Sequence, residues 1–283
     1  MPIRRARVSR RATAPLVTAA LLALSRALGA QGVPLDSVHR NFEPNGEHQL
    51  LVDGKVSADA EIFKNGKIPA YLVISSALPT PVILTPRAHS VEAVPLAKVS
   101  RQADGTVGLF ADAVLTPLGE FKLEGGAVVF TYEKRRVTLA AKPPLLGLHS
   151  AGDLDANDPA YPRNAAEYRP SATAIAALAS QPAAVTVRVY FGSWCPHCRE
   201  HVPRMLAIEQ ALAGSRVQVE YWGLPLPPEA WSDPEAKKLQ IGSVPTAIVY
   251  VEGKKIGRLI GADWNAPEVE LARLVKTFSP KPS

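Results

Sequence analysis

The chain has 283 residues, of which 47% are hydrophobic and 20% are charged, and this length is enough for about two globular domains. Its net charge of +6 comes from six arginines in the first 30 residues, because the remaining 26 basic residues equal the 26 acidic ones in number. This balance excludes a strongly electrostatic mode of nucleic-acid binding, so no nucleic-acid partner is predicted.

Residues 1–30 have the layout of a secretory signal peptide. Five arginines lie between residues 4 and 11, an apolar stretch of 12 residues spans 14–25, and small residues precede a cleavage site near Ala30. The apolar stretch is shorter than the about 20 residues that a transmembrane helix needs. We therefore predict export to a periplasmic or other extracytoplasmic compartment, with no membrane span in the mature chain. An uncleaved membrane anchor is the alternative.

Residues 31–142 are predicted to form an all-β domain of unknown role. Short runs of β-branched and aromatic residues alternate with turns such as Asn65-Gly66 and Asp104-Gly105, and no helical periodicity is visible. The region has no cysteine, and its histidines are scattered. It gives no indication of its own chemistry.

Residues 143–170 are rich in Pro, Asp, Asn and Gly and are predicted to be a linker, with a segment that wraps around a neighbouring domain as the alternative. From residue 171 to 283 helical and strand patterns alternate, which indicates an α/β domain. The predicted order is a helix from Ser171, a strand over 185–192, a helix from Pro196, a strand over 216–224, a short helix over 233–240, a hairpin around Glu252-Gly253 and a helix over 267–278.

Both cysteines of the chain lie in the segment FGSWCPHCREH, residues 191–201. A structural disulfide between Cys195 and Cys198 would close a loop too small to constrain the unfolded chain much. A zinc site with Cys195, Cys198 and His201 needs a fourth ligand, which only a distant residue such as His149 can supply. Haem attachment needs a histidine where Arg199 stands. These alternatives are weaker than a redox-active pair, and no metal or other cofactor is predicted.

A redox-active disulfide, Cys195–Cys198, is the interpretation that the local pattern favours. A helix starting after Cys195 sets its thiol against unpaired backbone N–H groups and the positive end of the helix dipole. Thiols in such motifs have a pKa between about 3.5 and 7.5, and His197 can add charge or a hydrogen bond. Cys195 is the predicted nucleophile and Cys198 the more shielded resolving thiol, with Pro196 and His197 completing the catalytic motif.

The motif WCPHC after a buried strand, followed by Val244-Pro245-Thr246 before a hairpin, resembles the thioredoxin superfamily over about residues 170–280. The resemblance implies that the C-terminal domain is thioredoxin-like, with a mixed sheet flanked by helices. The separate all-β domain would precede it in the chain. It also implies that Pro245 is cis and lies against the cysteine pair. The backbone of Val244 would pair with an extended substrate segment, and Trp194 and Thr246 are the other expected substrate-binding residues.

Two features depart from relatives in that superfamily. The Pro-His dipeptide is similar to that of periplasmic disulfide oxidases of the Dsb type, but 50 residues between Cys195 and Pro245 leave no room for their helical insertion. Members of the superfamily often have a carboxylate six residues before the first cysteine, where this chain has Val189. Glu220 on the next strand is a candidate replacement for that acid.

The leading functional prediction is an exported thiol–disulfide oxidoreductase that exchanges disulfides with protein substrates through Cys195 and Cys198. A redox partner protein would return the pair to its starting state, and the direction of electron flow is open. The alternative is a binding, scaffold or chaperone-like protein in which the β domain recognises a partner and redox chemistry is secondary.

Overall fold

The computed structural model describes residues 41–67 and 69–278, in which 18 strands form three sheets and are accompanied by six α-helices. This is a mixed α/β protein with several antiparallel sheets. The predicted signal peptide lies outside the described residues. Within the two described ranges, every helix falls short of the length and hydropathy that a membrane crossing requires.

Thirteen strands and one 3-10 helix occupy the described residues between 42 and 141. They form two antiparallel sheets, ordered β10-β7-β6-β5-β4-β1-β9-β8 and β11-β12-β13-β2-β3. The elements are β1 (Phe42–Pro44), β2 (His48–Val52), β3 (Lys55–Val56), β4 (Glu61–Asn65), β5 (Tyr71–Ile74), β6 (Val82–Thr85), β7 (Ser90–Ala93), the 3-10 helix Leu96–Lys98, β8 (Val99–Arg101), β9 (Val107–Leu109), β10 (Thr116–Glu120), β11 (Lys122–Glu124), β12 (Ala127–Tyr132) and β13 (Arg135–Ala141).

The eight-stranded sheet is buried on both faces. Consecutive residues of a strand point to opposite faces, so neighbours in the chain enter different cores. Ile62 and Val73 pack with Leu50 of the second sheet, whereas Phe63 and Leu72 belong to a separate core on the other face. This explains why its central strands are almost continuously apolar rather than alternating with polar residues.

The third sheet has the order β14-β16-β15-β17-β18 and carries the six helices. Its elements are β14 (Gly147–His149), α1 (Ala151–Asn157), α2 (Ala160–Glu167), α3 (Ala172–Ala179), β15 (Val185–Phe191), α4 (Pro196–Ala211), β16 (Val217–Gly223), a 3-10 helix (Glu229–Trp231), α5 (Pro234–Lys238), β17 (Thr246–Val251), β18 (Lys254–Leu259), a 3-10 helix (Gly261–Asn265) and α6 (Pro267–Thr277). Strands β15 and β16 are parallel, and the other neighbours are antiparallel. Parallel strands need a long crossover, which α4 provides.

The elements predicted between residues 171 and 278 are present, because short-range signals define them. The Ser171 side chain accepts a hydrogen bond from Ala174 N and begins α3. Asp233 begins α5 in the same way. Glu252 and Gly253 both have positive φ, 49° and 74°, as a tight hairpin turn between β17 and β18 requires.

The prediction of a linker over 143–170 is wrong, because β14, α1 and α2 lie in this segment. The hydroxyl of Ser150 and the carboxylate of Asp153 form a reciprocal capping box that starts α1. Leu154 and Tyr161 are buried in the same core as the cysteine pair. The Pro- and Asp-rich composition marks the ends of short helices here rather than an extended connection.

Loops of the first two sheets contact the helices of the third, and all the described residues belong to one compact unit. The β1–β2 loop meets the junction of α1 and α2 at Gly46. A Cβ atom on Gly46 would lie 2.2 Å from Asp158 Cγ, so only glycine allows this approach.

Candidate functional site

The cysteine pair lies where β15 ends and α4 begins. Cys195 is the residue that precedes the helix, with φ −90° and ψ 121°, and Pro196 occupies the first helical position. Proline fits there because the backbone N–H that it lacks would have no helical partner. Cys198 lies in the first turn of α4, and both thiols are free.

The two thiols differ in exposure and in their contacts. Cys195 is 6% exposed and Cys198 is fully buried. Cys195 Sγ lies 3.8 Å from the carbonyl oxygen of Val244, the distance of a weak S–H···O hydrogen bond. The backbone N–H of Gly192 points at Cys198 Sγ from 3.5 Å. An incoming group therefore reaches Cys195 first.

The surroundings shift the pKa values of the two thiols in opposite directions. A hydrogen bond from the Cys198 thiol lowers the pKa of Cys195 to about 6, although burial acts against this. The backbone N–H groups of Cys198 and His197 and the electrostatic interaction with His197 contribute to the same lowering. Burial, followed by the interaction with Cys195, raises the pKa of Cys198. At neutral pH Cys195 is mainly a thiolate and Cys198 is a thiol.

The segment from Val244 to Thr246 lies against the first cysteine. The Val244–Pro245 peptide bond is cis, as expected from the sequence, and the carbonyl of Val244 contacts Cys195. Thr246 is buried, opens β17 and donates its hydroxyl to the carbonyl of Ser243 at 2.8 Å. The hydroxyl of Thr246 is thus used inside the turn, while Val244 is half-buried beside the thiol.

Trp194 is half-buried and held in one orientation. Its Nε1 donates to the carbonyl of Leu224 at 3.1 Å, and its ring packs against cores on both faces of the third sheet. A Cβ atom on Gly192 would lie 2.4 Å from Cε2 of this ring. Gly192 is not part of the cysteine motif, although a glycine at the end of a strand is a signal for close approach by another group.

The side chains between and beyond the cysteines are mostly exposed. Pro196, His197 and Glu200 are exposed, and His201 is half-buried. The rings of His197 and His201 are stacked, with centroids 6.5 Å apart and 10° between their planes. His201 therefore groups with His197 and not with the sulfur atoms of the zinc alternative. His149, the remote fourth ligand of that alternative, contacts the Leu146 carbonyl and Asp153 instead.

Arg199, the residue after Cys198, links α4 to two distant parts of the chain. Its Nε donates to Asp158 Oδ2 at 2.8 Å, and its Nη1 lies 2.8 Å from Glu47 Oε1. Asp158 is only 2% exposed, and Glu47 belongs to the β1–β2 loop. Spacing along the sequence gives no signal for such partners, so the sequence interpretation did not find this network.

The polar group beside the buried thiol is a tyrosine rather than an acid. Val189 is fully buried, and Glu220 binds Arg188 at 2.7 Å on the sheet face opposite the cysteine core. Glu220 therefore does not replace the missing carboxylate. Tyr161 shares the core with Cys198, and its buried hydroxyl has no hydrogen-bond partner among the described residues. Burial, followed by the interaction with Cys198, raises the pKa of Tyr161.

No protein-family model matches the chain, and no curated protein matches it. Solved structures that are similar include a protein of unknown function from Pseudomonas aeruginosa, with TM-score 0.36 and 11% identity over 43% of this chain and 84% of that one. A thioredoxin from Trypanosoma brucei brucei has TM-score 0.25 and 17% identity over 38% and 87% of the two chains. A thioredoxin from Aeropyrum pernix has TM-score 0.25 and 23% identity over 36% and 79%. The structural neighbours thus include thioredoxins at low similarity.

Proposed function

We propose that this chain is an exported thiol–disulfide oxidoreductase that exchanges disulfides with protein substrates through Cys195 and Cys198. The region from 171 to 283 would be its thioredoxin-like domain, and the region from 31 to 142 a separate all-β domain. The observation that carries the proposal is the asymmetry of the thiols: Cys195 borders Val244 at the start of α4, while Cys198 is fully buried beneath it.

The asymmetry supports a two-step exchange. The Cys195 thiolate attacks one sulfur of a substrate disulfide, an S–S bond forms between them, and the other substrate sulfur leaves as a thiolate. Cys198 then attacks Cys195 Sγ, which releases the second substrate sulfur and leaves a Cys195–Cys198 disulfide. Two electrons pass to the substrate, and the Cys198 proton together with one proton from solvent converts its two sulfurs into thiols. The reverse sequence introduces a disulfide into a substrate with two thiols.

The surroundings of Cys195 also support a protein substrate. Val244, on the cis-proline turn, is only half-buried and lies beside the attacking sulfur. Val244 precedes β17 and lies outside the strand pairing of the third sheet, so its backbone is suited to pairing with an extended peptide. Export agrees with the charge and hydropathy pattern of residues 1–30, and disulfide chemistry persists in the oxidising compartments outside the cytosol.

The test is the equilibrium of the full chain with glutathione buffers, followed by counting free thiols. We expect one two-electron transition that Cys195→Ser and Cys198→Ser each remove. A reduction potential near about −120 mV would indicate a disulfide donor, and one near about −270 mV a reductase. If the cysteines form no disulfide in any buffer, the proposed function is wrong.

A second measurement separates the roles of the thiols. With a disulfide-bonded test protein, Cys198→Ser should accumulate a mixed disulfide because the resolving thiol is absent, whereas Cys195→Ser should form none. Equal trapping by both variants would contradict the assignment of nucleophile and resolving thiol. The double serine variant also addresses the scaffold alternative, since partner binding through the β region should survive in it.

A further inference from the structure

A cluster of potential metal ligands lies on the outer side of α4. His197, Glu200 and His201 occupy positions i, i+3 and i+4, which bring side chains to one face of a helix. One ring nitrogen from each histidine and one carboxylate oxygen all lie within 4.8 Å of one another. Glu200 Oε1 is 3.9 Å from His201 Nε2, and the two rings are stacked.

In this arrangement the histidine side chains still have ring nitrogens that are available to coordinate a metal ion. Nδ1 of His201 is buried and has no hydrogen-bond partner within the described part of the chain. Arg204, one turn further along α4, donates from Nη1 to the carbonyls of Trp264 and Asn265, so these contacts hold its guanidinium. The side chains of His197 and Glu200 are exposed and free to rotate toward a shared ion.

We propose that His197, Glu200 and His201 bind a divalent transition-metal ion, with Zn²⁺ as the best match. Imidazole ligands favour zinc, copper and nickel over calcium and magnesium, which prefer oxygen. Two histidines and one glutamate form a known zinc ligand set that leaves the fourth position to water or another ligand. In zinc enzymes that carry a His-x-x-Glu-His motif on one helix, the two histidines at this spacing are metal ligands.

This ligand set differs from the one that the sequence suggested. Neither thiol is a ligand in the proposed site. His197 and Glu200 join His201 there, instead of Cys195 and Cys198. Because neither thiol is a ligand, the site should bind zinc whether or not the cysteines are present. Because His197 lies between the cysteines, an ion at this site would stand directly beside the redox motif.

The experiment titrates the full chain carrying Cys195→Ser and Cys198→Ser with Zn²⁺, after treatment with a chelator and its removal, and follows heat by calorimetry. We expect one ion per chain. In this background His201→Ala should weaken binding by about tenfold or more, since even the loss of an outer partner of a metal ligand costs that much. Glu200→Gln keeps both histidine rings but removes the carboxylate, so it should also weaken zinc binding.

The matched control is His89→Ala, which removes an exposed histidine remote from α4 that stacks on Phe121. It should leave the affinity unchanged, and circular dichroism of every variant should match that of the parent. The proposal is overturned if the double serine background binds no zinc. It is equally overturned if His201→Ala and Glu200→Gln bind zinc as tightly as the parent. The same holds if His89→Ala weakens zinc binding as much as His201→Ala does.

Discussion

At the scale of single residues, two chemically identical thiols three positions apart acquire different properties. Cys195 precedes the first turn of α4 and receives hydrogen bonds, whereas Cys198 is enclosed by apolar side chains. Desolvation disfavours the charged form of a thiol, and hydrogen bonds to the thiolate favour it. The difference between the pKa values of the two thiols therefore follows from their positions at a helix terminus.

The first prediction concerns the ionisation of Cys195. Iodoacetamide reacts with the thiolate, so the rate of alkylation should rise with pH, with a midpoint near 6. In Cys198→Ala the midpoint should move up toward that of an ordinary thiol, because the hydrogen bond that lowers the pKa most is lost. The rates are measured in buffer with a chelator, by mass spectrometry. A midpoint near about 8.5 in the parent would contradict the geometry.

The second prediction compares two buried tyrosines. Tyr161→Phe should leave stability unchanged or raise it by about 1 kcal/mol, because its buried hydroxyl has no hydrogen-bond partner among the residues that the structure describes. Tyr221→Phe should lower stability by about 1–3 kcal/mol, because Tyr221 donates to Glu209 at 2.8 Å and the carboxylate would lose that bond. Urea denaturation of both variants provides the measurement. A clear loss of stability in Tyr161→Phe would mean that its hydroxyl has a partner.

At the scale of elements, strand β15, a tight turn and helix α4 together orient the site. The turn leaves no room for a side chain at Gly192, because the indole of Trp194 covers it. That indole is in turn held by the carbonyl of Leu224, which follows β16. The site is thus supported by packing between neighbouring elements and not only by the four-residue motif.

The third prediction tests this support. Gly192→Ala should destabilise the chain by about 1–3 kcal/mol, because the new methyl group overlaps the Trp194 ring. The matched control is Gly242→Ala in an exposed loop, where an added Cβ would meet no atom of the described residues within 4 Å. Denaturation followed by tryptophan fluorescence should show a lower midpoint only for Gly192→Ala. Equal midpoints would mean that the ring moves aside at little cost.

The elements of residues 171–278 could be predicted from the sequence, since caps, turns and apolar periodicity are local signals. Helices α1 and α2 could not, because each is short and owes its place to buried residues such as Leu154 and Tyr161. The same contrast holds within the site. Cys195, Cys198 and Pro245 are visible as motifs, whereas the partners of Arg199 come from remote segments and appear only once the chain is folded.

At the scale of the whole molecule, one arginine joins helix α4 to the region of the first two sheets. Arg199 contacts Glu47 from that region and Asp158 from the junction of α1 and α2. An ion pair with low exposure and good geometry contributes more than one at the surface, and removing one partner leaves the other buried and unpaired.

The fourth prediction concerns the contribution of the Glu47–Arg199 ion pair to stability, and it compares substitutions of two glutamates. Glu47→Gln should lower the free energy of unfolding by about 1.5–3 kcal/mol, the usual contribution of a hydrogen bond to a charged group. Glu61→Gln is the matched control, because Glu61 pairs with Arg101 where both side chains are about half exposed. It should cost about 0–1 kcal/mol. If both variants lose the same amount, the Glu47–Arg199 contact does not stabilise the assembly of the two regions.

The contact between Glu47 and Arg199 also sets an order of events in biosynthesis. A chain emerges N-terminal end first, and the two residues are separated by 152 positions. All strands of the first two sheets have been synthesised once residue 141 is made. The contacts of Gly46 with Asp158 and of Glu47 with Arg199 can form only later, when residues 158 and 199 have been synthesised. Contacts so distant in sequence carry a large entropic cost of loop closure and form slowly. The residues after 142, helix α4 included, therefore dock onto two sheets whose strands were all synthesised earlier.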